Sequence, residues 1–356
     1  MKNVLIIRFS SLGDVILATS VVDAVHRSCP ECRQVFVVKE EYSGVLENNP
    51  HLDSVIGLGA GERGLGRLVS FGRSLRKEGF DLVLDLQGGP RGRVLTAAVG
   101  ASRSARPRSH RLRRMMMAAR PGRWRVPLPH VVERYLECLR PWVAGGVPEG
   151  RPEVYLTREE RAHALDVTDK VEGTGLVALS PGAKWPAKQW PEQHFARLGG
   201  ALVEEGLGVL LLGASYERPL LERVASGISQ GGSVMVVAAG LRPLASLFSI
   251  SSAAVCNDSG LMHLSAAVDT PTIGIFGPTA PHFGFEPFGR RHRSLWLGLD
   301  CSPCSLHGGK PCRISEKAPC MHLLDPKEVA NSVRGLVEQA SAEGGAGAVT
   351  GTKNKT

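Results

Sequence analysis

The chain has 356 residues, with 43 Lys and Arg against 34 Asp and Glu and a formal net charge of +9. At 43% hydrophobic and 22% charged it has the composition of a folded globular protein, which excludes wholesale disorder, and its length suits two domains with a core each. No apolar run approaches the roughly 18 residues needed to cross a bilayer.

Val4–Ile7 is too short for the apolar segment of a signal peptide, and Arg8 interrupts it. The expected compartment is therefore the cytoplasm, where the eight cysteines are expected as thiols or metal ligands rather than disulfides. Val4–Phe9 reads as a first strand, Ser10–Asp14 as a turn, and Val15, Ala18, Val22 and Val25 as one face of a helix. Gln34–Val38, Ser54–Leu58 and Leu82–Leu86 read as further strands. They are continuous apolar runs rather than alternating ones, as in a parallel sheet covered on both faces.

Between Arg91 and Arg125 lie 11 Arg and no Lys, Asp or Glu, so this segment carries +11 and the rest of the chain −2. Uncompensated arginines repel one another unless a polyanion is nearby, and the guanidinium fork suits carboxylates and phosphates. Nucleic acid, anionic lipid headgroups and a phosphorylated glycolipid all fit. Met115, Met116, Met117 and Trp124, in the same segment, are groups that either touch lipid or pack inward.

Gly145–Pro152 is rich in Gly and Pro and predicts an interdomain linker, dividing the chain into 1–150 and 151–340. The pattern then restarts with strands at Leu176–Leu179, Gly208–Leu212, Val234–Ala238, Ala253–Cys256 and Thr272–Phe276, with helices such as Glu192–Glu205 and Pro219–Ser226 between them. The expected fold class is α/β, two Rossmann-like halves whose ligands bind at the carboxyl ends of the strands. The tail 341–356 is aperiodic and expected to be disordered.

Three strand-to-helix loops carry polar groups where such ligands sit. In Arg8–Asp14, Gly13 allows a tight turn and Asp14 opens a helix whose dipole favours its ionised form, although helix starting alone would also account for it. This loop is no GxGxxG fingerprint, which counts against a dinucleotide dehydrogenase. Ser180–Pro191 holds Lys184, Trp185, Lys188 and Trp190 ahead of a helix, with Pro191 at its first position, and reads either as a phosphate site or as a loop whose tryptophans pack onto the domain. In Cys256–His263, Ser259 can cap, Gly260 admits a ligand to the backbone amides, Asp258 orients the loop, and His263 faces the same cleft one turn later.

Cys301, Cys304, Cys312 and Cys320 fall within 20 residues and can supply the thiolates of a structural zinc, though with one CxxC pair rather than two; plain buried thiols are the alternative. Cys29-Pro30-Glu31-Cys32 follows a helix instead of starting one, unlike a thioredoxin motif.

Ile7–Asp14, Pro181-Gly182-Ala183 with Ala187–Pro191, and Asn257–Leu264 with Phe276–Thr279 resemble, in order and spacing, glycosyltransferase family 9, the family of the ADP-heptose:lipopolysaccharide heptosyltransferases. The resemblance implies a GT-B fold, two Rossmann-like domains facing across a cleft, with acceptor in the first half and nucleotide sugar in the second. It implies that Asp14 is the general base of an inverting transfer of heptose from ADP-heptose to inner-core lipopolysaccharide, without a metal in catalysis. Lys188, Lys184, Asp258, Ser259, Gly260, His263 and Glu217 then fall on the nucleotide-sugar side. Ser11, Gly13, Arg91, Arg93, Arg111, Arg113 and Arg114 fall on the acceptor side, where an anionic glycolipid would explain the arginines. Contact with the inner-membrane surface is expected and nucleic acid is not. Another nucleotide sugar or acceptor, or a non-catalytic basic binder of nucleic acid or membrane, are the competing functions. The cysteine cluster departs from the best-known heptosyltransferases.

Overall fold

The computed structural model describes residues 2–62, 64–121, 126–228 and 232–347. The first half runs β1 (Asn3–Ile7), α1 (Leu12–Ser28), β2 (Arg33–Lys39), β3 (Ser54–Leu58), α2 (Leu65–Leu75), β4 (Leu82–Asp85), α3 (Pro90–Val99), β5 (Arg103–Ala105), α4 (Arg111–Ala119) and α5 (Val131–Leu136). The second half runs α6 (Arg158–Thr168), β6 (Leu176–Ser180), α7 (Glu192–Glu204), β7 (Gly208–Gly213), α8 (Arg218–Ser226), β8 (Val234–Ala238), α9 (Leu241–Ser249), β9 (Ala253–Asn257), α10 (Gly260–Ala267), β10 (Thr272–Phe276), β11 (Arg293–Trp296), α11 (Pro319–His322) and α12 (Pro326–Gly347). No helix among the described residues is long and apolar enough to cross a membrane.

Both sheets are wholly parallel. The first has strand order β3-β2-β1-β4-β5 and the second β11-β10-β9-β6-β7-β8. Each winds outward in both directions from its first strand, so each has a switch point: β1/β4 in the first half, β6/β9 in the second. Helices that leave neighbouring strands in opposite senses part there and open a crevice at the carboxyl ends. The loops after β1, β6 and β9 are the three read from the sequence, and they border these crevices.

β1, β4, β6, β7, β9 and β10 are buried along nearly their whole length, as continuous apolar strands covered on both faces should be. One apolar cluster passes from Val4, Ile16 and Val22 in the first half to Leu210, Phe248, Leu261 and Met262 in the second. The connection between the halves lies in this seam. Arg151 N donates to Asp23 Oδ2 (3.1 Å), Glu153 N to Thr19 Oγ1 (2.8 Å) and Val154 N to the carbonyl of Ala267 (3.0 Å), so the chain is clasped between α1 and α10.

Several elements depart from expectation. β5 and β11 are short strands at the ends of their sheets and lack an apolar run. The aperiodic tail is helical as far as Gly347, because Glu338–Glu343 is composed mostly of good helix formers that extend α12; residues 348–356 lie outside the described residues. Cys29 and Cys32 form a disulfide, against the expectation of free thiols or metal ligands. The turn that ends α1 brings their Cα atoms to 5.4 Å, within bridging reach.

Candidate active site

The loops after β1, β6 and β9 converge on one cavity of about 960 Å³ between the halves, large enough for a nucleotide sugar. The N-termini of α1 and α10 meet across it. A Cβ at Gly260 would lie 2.7 Å from the Leu12 side chain, and one at Gly13 would collide with the His263 ring. Gly13 therefore makes no tight turn: it sits in the first turn of α1, where the absence of a side chain lets the two helix ends approach. Two helix N-termini pointing into one space give it positive potential before any side chain is counted.

Asp14, at the third position of α1, lies on the cavity wall. Its Oδ2 accepts from Ser11 N (3.1 Å) and Ser11 Oγ (2.8 Å) and pairs with Arg8 Nη2 at 2.7 Å. Arg8 is fixed in turn by donating to the Leu86 carbonyl at 2.6 Å. Burial alone would push the Asp14 carboxyl up; the Arg8 charge and the Ser11 hydrogen bonds outweigh it and hold it below the ordinary value. Asp14 is thus ionised at neutral pH and able to accept a proton. Arg8 was read from sequence as part of the first strand and its loop, without a role at the site, and nothing in one sequence marks its pairing across the loop.

On the opposite wall, Lys188 Nζ binds Asp258 Oδ2 at 2.6 Å, and Thr279 Oγ1 donates to the same oxygen at 2.6 Å. Asp258 therefore orients this wall, as expected, and partly neutralises the lysine. Asn257 ties the loop after β6 to the loop after β9: its Oδ1 accepts from Trp190 N (3.0 Å) and its Nδ2 donates to the Pro181 carbonyl (2.7 Å). Ser259 precedes α10 in extended backbone, and among the described residues its buried Oγ has no partner; neither has Nδ1 of His263. Buried polar atoms are rarely left unsatisfied, so both fit a site waiting for a ligand. Burial, reinforced by His130 and Lys188, pushes His263 down to about 4, leaving it neutral at pH 7.

Glu217 lies under the loop after β6, against Gly182, with one carboxyl oxygen accepting from Ala214 N at 2.8 Å; burial pushes its carboxyl up. Lys184 is an exposed member of the cavity lining, its Nζ 5.5 Å from the centre of the Trp185 ring. The two tryptophans divide the alternatives. Trp190 is core, 1% exposed, with Nε1 donating to Leu324, whereas Trp185 borders the cavity at 37% exposed.

Of the acceptor-side arginines, only Arg114 reaches the cavity. Arg91 and Arg93 are exposed on the first turn of α3, and Arg111 and Arg113 are exposed on α4. All four lie outside the cavity lining: a 3.6-residue period points neighbours on α4 in different directions, and of its arginines Arg114 faces inward. Arg123, Trp124 and Arg125 lie outside the described residues. Arg134, on α5, was not singled out from the sequence. With Arg114 it flanks the Phe285 ring at 5.8 and 5.1 Å, and among the described residues neither forms an ion pair. Nothing in the sequence marks Arg134; its place beside Arg114 depends on the fold.

Cys301, Cys304, Cys312 and Cys320 line a second, smaller cavity of about 130 Å³. Among the described residues, however, no three His, Cys, Asp or Glu side chains are placed to hold a metal ion. Burial, with the other three cysteines, pushes Cys320 up to about 12, so it stands as a neutral thiol. The segment instead borders the main cavity: Cys304 N and Ser305 N both donate to the Pro278 carbonyl (2.9 and 3.0 Å), carrying Leu306 and His307 to its wall.

A sequence profile described as glycosyltransferase family 9 (heptosyltransferase) matches residues 68–312, more than half of the chain. The chain belongs to glycosyltransferase family 9. It is 28% identical to lipopolysaccharide heptosyltransferase 1 of Pseudomonas aeruginosa over 94% of this chain and 98% of that protein. Among solved structures it resembles a family 9 glycosyltransferase from Veillonella parvula (TM-score 0.77, 20% identity, 95% and 98% covered). It also resembles E. coli ADP-heptose LPS heptosyltransferase II (TM-score 0.75, 20% identity, 96% and 100% covered). These likenesses establish the GT-B fold, in agreement with the two doubly wound sheets. As a family 9 member the chain is a glycosyltransferase, and the cavity between its halves is its candidate active site.

Proposed function

We propose that this chain is an inverting transferase that moves heptose from ADP-heptose to the inner core of lipopolysaccharide, working at the cytoplasmic face of the inner membrane. The observation that carries the reading is that one cavity holds Asp14, at the N-terminus of α1 in the first half, and Lys188, paired with Asp258 beside the N-terminus of α10 in the second. The names of the relatives support the donor and the acceptor class.

In this reading the acceptor hydroxyl lies against Asp14, which takes its proton as the oxygen attacks the anomeric carbon from the face opposite the nucleotide. The bond from that carbon to the diphosphate breaks, and the negative charge gathering there meets Lys188 and the amides that open α10. Ser259 Oγ and His263 Nδ1, both unpartnered among the described residues, would gain hydrogen bonds to the donor. The strip of Arg114 and Arg134 around Phe285 offers a grip for phosphates or carboxylates on the acceptor.

The test is thermal shift with ADP, UDP and GDP, followed by turnover of ADP-heptose with Kdo-lipid A. Selective stabilisation by ADP is expected, roughly 2.7 kcal/mol at about 100 times its Kd. Asp14→Ala should lower kcat by about 100-fold or more with nucleotide affinity nearly unchanged, while Lys188→Ala should weaken use of the donor. A response to UDP or GDP alone replaces the donor, and equal turnover by Asp14→Ala removes the mechanism.

A further inference from the structure

α4 turns its two sides to different surroundings. Met117 is buried against Leu128 and Phe283, and Arg114 reaches the cavity beside Phe285. Leu112, Met115 and Met116, spaced i, i+3 and i+4 and so forming one face, are 68%, 46% and 41% exposed. Isolated exposed apolar residues need no explanation, but three on one helical face within a strongly basic segment do. Arg106, Arg108, Arg111, Arg113 and Arg120 are all exposed around this face, with no Asp or Glu anywhere from 91 to 125. Ile314, 64% exposed, lies beyond the far end of α4, across the small cavity it shares with Ala118, Ala119, Lys310 and Arg313.

From this surface we infer that α4 is an interfacial helix that lays Leu112, Met115 and Met116 into an anionic lipid bilayer while the surrounding arginines meet its headgroups. An apolar stripe edged by cations is the pattern of helices that lie in a membrane interface. Nucleic acid would satisfy the arginines but gives three aliphatic side chains nothing to enter; a bilayer satisfies both. The crowding of like charge is felt inside the segment, where burial and the nearby Arg134, Arg113, Arg114 and Arg108 depress the His110 imidazole. Because Arg114 on the inner side of the same helix borders the cavity, a bilayer touching the outer side stands one helix diameter, about 10 Å, from the site. A lipid-anchored acceptor would then reach Asp14 without leaving the membrane. This deepens the proposed reading and rests on it only for that last step.

The test is vesicle flotation of the full chain without donor or acceptor, so its outcome is independent of the transferase reading, which the ADP measurement tests alone. The chain should partition onto vesicles of phosphatidylcholine with phosphatidylglycerol and not onto phosphatidylcholine alone, and added salt should weaken binding. Leu112→Ser/Met115→Ser/Met116→Ser should lose roughly tenfold or more in partitioning while keeping the ADP-induced thermal shift, which also shows that it is folded. Arg108→Ser/Arg120→Ser, outside the cavity, should lose roughly fivefold per arginine at low salt. Wild-type partitioning by the triple variant overturns the inference, as does equal binding to neutral vesicles or no binding by the unaltered chain. Equally fatal would be a lipid-free dimer that the triple substitution dissociates, since the stripe would then be a protein contact. Duplex DNA displacing the chain from vesicles while the triple variant still binds DNA and lipid equally would assign the arginines to nucleic acid.

Discussion

Asp14, the proposed base, shows how a carboxylate can be held ionised in a buried place. Removing a carboxylate from water favours its protonated form, yet Arg8 at 2.7 Å and two donors from Ser11 reverse the balance. A carboxyl whose folded value lies below its unfolded one adds stability above the unfolded value and loses it as pH falls through the folded one. Activity that depends on ionised Asp14 should therefore persist through the ordinary carboxyl range and decline only below it. Arg8→Gln removes the opposing charge, so the acid limb of kcat/KM against pH should move upward, with kcat at pH 7.5 reduced less than in Asp14→Ala. An unmoved limb in Arg8→Gln would show that another group sets it. The two tryptophans of the loop after β6 behave differently under the same substitution. Trp190→Ala should cost about 3–5 kcal/mol of stability, because the ring is 1% exposed and packs edge-on to Phe195. Trp185→Ala should leave the melting temperature almost unchanged and raise KM for the donor.

At the scale of elements, the decisive contact is between two helix ends. Gly13 and Gly260 have no steric need for glycine in their backbone angles; each is small because the other helix is there. Gly260→Val should therefore force Leu12 aside, destabilise the chain by about 1–3 kcal/mol and weaken donor binding more than Gly200→Ala, whose added carbon meets open space. Chemical denaturation and ADP titration of the two variants check this. The same pair shows what was legible in the sequence. Apolar runs identified the inner strands and hence both sheets, since a strand buried on two faces must be apolar throughout. The turn residues after β1, β6 and β9 marked the loops that line the cavity. What stayed hidden was everything decided by contact between elements: that Gly13 faces His263 of the other half, that Arg8 turns back across its own loop to Asp14, that Arg134 of α5 joins Arg114 of α4. These depend on how separate stretches of chain are brought together, and no one stretch contains that information alone. β5 and β11 were missed for a different reason, since a strand at the end of a sheet needs little apolar sequence.

At the scale of the whole molecule, Arg242 joins the halves from the far side of the cavity mouth. Its Nε donates to Glu160 Oε1 at 2.7 Å, and its Nη1 donates to the carbonyls of Gly44 and Glu47 at 3.3 and 3.4 Å. The clasped linker and the apolar seam hold the other side. GT-B proteins are commonly pictured as two bodies on a hinge, but here a single apolar cluster has members in both sheets. That continuity governs how the chain comes apart. Neither half can lose its tertiary packing without baring the surface of α1 or α10 that the other covers, so melting should be one cooperative event. Calorimetry should give a single peak with calorimetric and van't Hoff enthalpies in agreement. Residues 1–150 produced alone should associate or aggregate, because the face of α1 that meets α10 would then be open to water.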